Sequence, residues 1–415
     1  MPVAVFCIGT EITRGEITNT NATWLAEELT RIGLDVADIT VVPDDRSAIV
    51  AALERLGNAY ELVVCTGGLG PTTDDITSEC VAAALGVPLE RHEPSYDAIK
   101  TRMERFGRAM APSNAKQADF PRGAMVLPNA TGTAPGFSIR VGKASMYFMP
   151  GVPSEMKPMF AEHVSSAARG LVTGATVQVR LKTFGMPEST VNDRLRGIEA
   201  VHGVVIGYRA HFPEIELKFL KRAADATTAE AGARAAADEA RNRLGDVVFA
   251  EGDVSLPETV GAALRERSLT LGTAESCTGG LVAELLTEHA GASDFYKGSV
   301  VSYANSAKTD LLGVDAALIA EHGAVSGAVA RAMAEGARRA LGVDVGLSLT
   351  GIAGPTGGTP EKPVGLVHFA VATERSTTDR HLVFPGTRRQ IRLLSAYAAL
   401  SLARRVVLGL EPEHR

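Results

Sequence analysis

The sequence predicts an α/β protein, with a doubly wound, mainly parallel amino-terminal domain, a small α+β segment and a second large α/β domain. Three observations carry this. Short continuous apolar runs, such as residues 3–9 (VAVFCIG) and 61–66 (ELVVCT), read as strands buried on both faces. These runs alternate with stretches of helical periodicity, the pattern of parallel sheets. At 415 residues, 45% of them hydrophobic, the chain exceeds one ordinary core, so two or three domains are expected.

Taken in order, residues 3–9 lead into TEITRGEITNTNATWLAEEL, where Thr20 or Asn21 can cap a helix carrying Trp24, Leu25, Leu29 and Ile32 and ended by Gly33. Residues 36–42 alternate as a strand, 49–56 suit a helix, and 61–66 form the next buried strand. At its end comes GGLGPTTDDIT, residues 67–77. Ligands of such sheets bind beyond the carboxyl ends of the strands. Gly67, Gly68 and Gly70 would let backbone amides approach one closely. A tight turn with Asp75 capping the helix of Cys80, Val81 and Leu85 accounts for the same residues. An anion held beside Asp74 and Asp75 would require a divalent cation such as Mg²⁺ between them.

Residues 171–252 change character, with strand-like and helical runs mixed and an alanine-rich helix whose charges sit on outer positions. Ser255 and Glu258 form a capping box that opens a helix through Arg267. Residues 269–273, 298–303, 345–350 and 364–371 read as strands separated by helices. TGIAGPTGG, residues 350–358, is glycine-rich after a strand but lacks the GK[ST] ending of a P-loop. A terminal helix begins near Thr387 and carries Ile391, Leu394, Ala398 and Leu402 on one face.

The chemistry concentrates in residues 273–308, TAESCTGGLVAELLTEHAGASDFYKGSVVSYANSAK. A serine nucleophile needs a base beside it. Lys308 can serve if burial lowers it from its usual ~10.4, and Tyr303 could orient the proton. The same residues also permit Ser276 and Thr278 as helix caps, Tyr303 as a strand residue and Lys308 as a solvated charge. Cys277 precedes glycines at a helix start, where a thiolate is stabilised, but no histidine lies in a comparable motif.

Lys+Arg 42 against Asp+Glu 48 leaves a charge of −6, which argues against a general binder of polyanions. Cys7, Cys65, Cys80 and Cys277 show no CxxC and no zinc spacing, so buried thiols are expected. No signal peptide opens the chain and no apolar run reaches 18 residues, so a cytoplasmic protein is expected, with no membrane association.

TAESCTGG, GAS at 291–293, SYAN–AK at 302–308, GAVS at 323–326, TGIAGP–GG at 350–358 and KPVG at 362–365 resemble the carboxy-terminal domain of the competence/damage-inducible CinA family. GTEITRGEITNTN, GGLGPTTDDIT, NAKQADFP, NATGTAPGF and PGVPSEM resemble its amino-terminal domain, which has the molybdopterin-binding fold. The resemblance implies three parts. They are a molybdopterin-binding-like doubly wound domain (1–168), a small KH-like linker domain (171–252) and the CinA carboxy-terminal domain (253–415). It further implies two activities. The carboxy-terminal domain would hydrolyse nicotinamide mononucleotide to nicotinate mononucleotide and ammonia without a cofactor. The amino-terminal domain would cleave the diphosphate of ADP-ribose with a divalent metal.

Carried over by that resemblance, Ser293 is the nucleophile, Lys308 the base and Tyr303 an assistant. Ser276, Thr350 and Arg388 complete the carboxy-terminal site, with Arg389 and Arg392 as alternatives to Arg388. Gly67, Gly68, Gly70 and Asn19 bind substrate in the amino-terminal domain, Asp74 and Asp75 hold the metal, and Glu155 is a further candidate ligand. A homodimer is implied. Direct nucleic-acid binding is not expected, since the GxxG clamp of KH modules is not evident. A competence-associated binding role and molybdopterin handling are the alternatives. Residues 253–415 are expected to fold and act by themselves.

Overall fold

The computed structural model describes residues 2–107 and 109–410. The chain divides into two compact units. One runs to Val177 and takes in Arg222–Glu230; the other is built from Gln178–Lys221 and the residues from Ala231 onward.

The first unit holds strands β1 (Pro2–Ile8), β2 (Asp35–Val42), β3 (Leu62–Thr66), β4 (Leu89–Arg91), β5 (Asp119–Pro121), β6 (Met125–Leu127), β7 (Gly136–Val141) and β8 (Ala144–Met149). Six form one sheet in the order β2-β1-β3-β8-β7-β6, and β4 pairs with β5. The four strands β2, β1, β3 and β8 are parallel, as the buried runs predict. Strands β7 and β8 are antiparallel because only Gly142 and Lys143 separate them, too few residues for a crossover. Apolar cores cover both faces, Phe6, Cys65, Leu53 and Phe148 on one and Val5, Cys7, Leu25 and Val64 on the other. The helix Thr20–Ile32 is capped one residue earlier than expected, by Asn19, whose side chain accepts from the Ala22 amide at 3.0 Å. Gly33, at φ 112°, ends it.

The middle segment adds β9 (Ala175–Thr183), β10 (Val205–His211), β11 (Glu214–Ala223) and β12 (Val248–Glu251), ordered β10-β11-β9-β12. Its alanine-rich helix, Ala226–Leu244, buries Ala229, Ala233, Ala236 and Ala240 in one row and turns its charges outward.

The carboxy-terminal sheet comprises β13 (Leu271–Glu275), β14 (Tyr296–Val301), β15 (Val345–Gly351), β16 (Leu366–Ala372) and β17 (Thr377–Val383), ordered β14-β13-β15-β16-β17. Strands β14, β13 and β15 are parallel, and β16 and β17 run antiparallel. Strand β17, TTDRHLV, escaped the sequence reading because it is an edge strand whose charges blunt its open side. The capping box forms as expected, with Ser255 N–H donating to Glu258 at 2.7 Å. Thr387 caps the terminal helix Arg388–Leu408. Among the described residues no helix is long and apolar enough to cross a membrane.

The boundary near 251–256 is not a free joint. Phe249 belongs to the same apolar cluster as Leu256, Val260 and Leu402, and Phe184 meets Tyr397 with ring centroids 5.5 Å apart. The Leu256 amide donates to the buried Glu214 carboxylate at 3.4 Å, and Arg180 pairs with Asp253 through two 2.7 Å bonds. Residues 253–415 alone would therefore lose part of their own core. Phe249→Ala in the full chain is expected to cost about 3–5 kcal/mol, read from the denaturation midpoint of this unit. An unchanged midpoint would show that the two segments share no core.

Candidate functional site

Parallel pairing of β13 and β14 sets Leu271 opposite Tyr296 and Glu275 opposite Val301. The Ser302 amide donates to Glu275 O at 2.8 Å, so Ser276, one residue beyond Glu275, comes level with Ser302. On its other side the Ser276 amide donates to Leu349 O at 3.1 Å. Helix Asn305–Leu312 then returns Lys308 over this strand end. Its Nζ donates to Ser276 Oγ at 3.1 Å and to Ser302 O at 2.7 Å. Lys308 is 1% exposed and Ser276 8%. Burial pushes the Lys308 ammonium below its ordinary range, opposed only in part by the Cys277 sulfur nearby. Neither a cap nor a solvated charge describes these two residues.

The expected Ser293–Lys308 pair does not form. Ser293 lies exposed in the turn Ala292–Asp294 that enters β14, and its carbonyl accepts from Lys297. Lys308 follows the exit of that strand. Six extended residues lie between, about 20 Å at roughly 3.3 Å per residue. The serine that meets the lysine is Ser276.

Tyr303 is exposed, and its hydroxyl accepts from Arg388 Nη2 at 3.1 Å, while Arg388 Nη1 holds Gly354 O at 2.7 Å. Arg392, one turn further along the same helix face, donates to Thr278 O. Arg388 and Arg392 thus both flank the serine loop. Arg389, about 100° round the helix, is exposed. Thr350 sits buried at the carboxyl end of β15 and donates to Ala324 O at 2.7 Å, and Lys362 holds the same loop through His322 O and Val325 O, both at 2.8 Å. The GAVS and KPVG motifs are thereby parts of one wall.

Glu275 was missed by the sequence reading. Its carboxylate is fully buried and accepts the amides of Gly280, Val282 and Ala283 at 3.0, 3.1 and 2.9 Å, tying the start of the helix Leu281–Thr287 to the end of β13. The serine loop is stretched between these two anchors. Glu275→Gln sets an NH₂ group against a backbone N–H, and is expected to lower turnover of the Ser276 reaction at least about 10-fold with KM little changed. An unaltered turnover number would show that the loop keeps its shape without the carboxylate. The Thr278 and Ser302 hydroxyls, both fully buried beside the pair, have no hydrogen-bond partner. Burial pushes the Cys277 thiol up to about 11, with Glu275 adding and Arg388 and Arg392 opposing, so Cys277 is no thiolate at neutral pH. His289 is engaged elsewhere, with Ser255 at 3.0 Å.

In the first unit a cavity of about 410 Å³ opens at the carboxyl ends of β1 and β3. Gly67, Gly68, Gly70, Asn19, Asp74 and Asp75 all line it, as do Asp44 and Glu155. The glycines are demanded first by the chain itself. A Cβ on Gly67 or Gly68, both at positive φ, would lie 2.0 Å from Ile8 O or 2.2 Å from Thr77 Oγ1. One on Gly70 would lie 2.4 Å from Asp75. Asp75 does not cap the helix Thr77–Leu85. It turns back to accept from the Thr72 amide and hydroxyl at 2.9 and 2.6 Å, and Asp74 accepts from the same hydroxyl, which holds its carboxyl below the usual value. Lys116 donates to Asp75 O at 2.8 Å. The two adjacent carboxylates therefore coexist through Thr72 and Lys116. Asp44, not foreseen from sequence, accepts from the Thr10 amide at 2.7 Å.

Among the described residues no three histidine, cysteine or acidic side chains converge to hold a metal by themselves. The donors lining the cavity are nonetheless hard oxygens, and Asn21 Oδ1 is buried with no partner. Such a set fits Mg²⁺ held by one or two carboxylates together with substrate phosphates, not a cage built by the protein alone.

Fold and site together define a three-part α/β protein with a buried serine–lysine pair at the carboxyl end of its last sheet. Residues 253–407 match the family described as "CinA C-terminal domain", 178–250 the "Damage-inducible protein CinA KH domain", and 4–169 the "Probable molybdopterin binding domain". The CinA-like protein of Anaeromyxobacter dehalogenans (strain 2CP-C) is 47% identical over 407 residues, covering 97% of this chain and 99% of its own. The chain belongs to the CinA family. The CinA-like protein of Geobacter sulfurreducens is 42% identical over 411 residues, covering 98% and 100%. A solved structure, the competence/damage inducible protein CihA from Agrobacterium tumefaciens, is 40% identical, covers 35% of this chain and 90% of its own, and has a TM-score of 0.35.

Proposed function

We propose that the carboxy-terminal domain hydrolyses the carboxamide of nicotinamide mononucleotide, with Ser276 as nucleophile and Lys308 as base. The single observation that supports this most is the buried Lys308 Nζ, 3.1 Å from Ser276 Oγ and pushed toward its neutral form. Ser276 gives its proton to the neutral amine as Oγ bonds to the carboxamide carbon. The C–N bond then breaks, and ammonia leaves with the proton Lys308 held. A water deprotonated by the same amine attacks the resulting ester, and Ser276 Oγ recovers its proton as nicotinate mononucleotide departs. Arg388 and Arg392, at the start of a long helix beside the serine loop, supply the charge that a substrate phosphate requires.

In the same reading, the amino-terminal domain cleaves the diphosphate of ADP-ribose with a divalent cation. One or two of Asp44, Asp74 and Asp75 would hold the cation together with the substrate phosphates, whose charge it would neutralise. A chelator is expected to abolish this cleavage and leave amide hydrolysis intact, because several carboxylates line the first cavity while the second site works through a serine–lysine pair. Equal loss of both activities would overturn that division. The family match over residues 4–169 favours molybdopterin handling as the second reading. Tight pterin binding without cleavage of ADP-ribose would select it.

A further inference from the structure

The loop 128–135 does more than close the cavity of the first unit. Asn129 uses its whole hydrogen-bonding capacity there. Its Oδ1 accepts the amides of Thr131 and Gly132 at 3.0 and 2.8 Å, and its Nδ2 donates to Ala134 O at 2.9 Å and to Glu155 Oε2 at 2.7 Å. Arg102 braces the loop from behind through the carbonyls of Ala130 and Thr131. Glu155 stands on the helix Pro153–Met159, 26 residues away in sequence, and its carboxylate fills the space where Gly132 has no side chain. A Cβ built on Gly132 would lie 1.8 Å from Glu155 Oε2 and 2.4 Å from Oε1. Gly132 is not among the residues at positive φ, so the nearest obstacle to alanine there is the Glu155 carboxylate, which would have to move.

A solvated glutamate needs neither a saturated asparagine nor a glycine opposite it. We propose that Glu155 is a substrate-binding carboxylate of the amino-terminal site, contacting the metal complex of a diphosphate, and that Asn129 is the residue that positions it. Nδ2 holds Oε2, which disfavours rotation of the carboxylate and leaves Oε1 for the cation. This rests on the ADP-ribose reading for its substrate, but not for its geometry.

The test uses the full chain, with titration calorimetry of ADP-ribose and of inorganic pyrophosphate, each with and without Mg²⁺. Glu155→Gln and Asn129→Ala are expected to weaken Mg²⁺-dependent binding at least about 10-fold without weakening metal-free binding, a separation that a general loss of structure would not give. Gly132→Ala is expected to weaken the same binding and to lower the unfolding midpoint. In a Glu155→Ala background the added methyl finds room, so the fall in midpoint should vanish. Wild-type Mg²⁺-dependent binding by Glu155→Gln would remove Glu155 from the site. An equal fall in both backgrounds would show that the carboxylate does not occupy the Gly132 space. If pyrophosphate binds in this way but ADP-ribose does not, the positioning stands and the substrate reading fails. A wild-type protein that binds neither probe overturns both.

Discussion

Ser276→Ala is expected to lose about 10³-fold or more of the amide hydrolysis, while Ser293→Ala keeps nearly all of it. That size of loss is typical when one member of a nucleophile–base unit is removed. The asymmetry follows from where the two serines stand. Ser276 Oγ is in hydrogen-bond contact with the buried Lys308, whereas Ser293 is an exposed turn residue at the far end of β14. Cys277→Ser should retain most activity, since its thiol stays protonated at neutral pH. Steady-state rates on nicotinamide mononucleotide decide the matter. An inactive Ser293→Ala variant beside an active Ser276→Ala variant would sink the assignment.

Lys308→Met should be as inactive as Ser276→Ala and yet no less stable at neutral pH. Methionine matches the volume of the lysine stem and needs no proton, whereas a buried ammonium must give up its hydration. The sign of the pH effect is fixed by the lowered pKa. Between that folded value and the ordinary ~10.4, the unfolded chain binds more protons, so wild-type stability rises with pH across the window. The methionine variant should lack this rise. Amide hydrolysis by the wild type should climb through the same lowered pKa, because only the neutral amine accepts the serine proton. A rate independent of pH from neutrality upward, or a Lys308→Met variant much less stable than wild type, would show that Lys308 is structural.

The KPVG lysine illustrates how far motifs alone could reach. Lys362 was legible only as part of a family motif; that it holds the carbonyls of His322 and Val325 was not. The same holds for Asn19, readable as belonging to the first loop and seen only in the structure to cap the helix it precedes. The GGLG glycines were singled out for closeness to a ligand; the structure shows that Ile8 O and Thr77 crowd Gly67 and Gly68 from within.

By itself the sequence determined the α/β class, the buried parallel strands, the capping box at Ser255 and Glu258, the terminal helix and the family. All of these rest on patterns a few residues long, where local sterics and burial dictate the conformation. Only the tertiary structure decided which residues meet. Parallel pairing aligns strand exits with strand exits, so Ser276 after β13 finds Lys308 beyond β14, while Ser293, at an entrance, cannot. Likewise Asn129 meets Glu155 only because the β7–β8 hairpin carries the chain back to the same sheet edge, a closeness set by strand order and written in no local spacing.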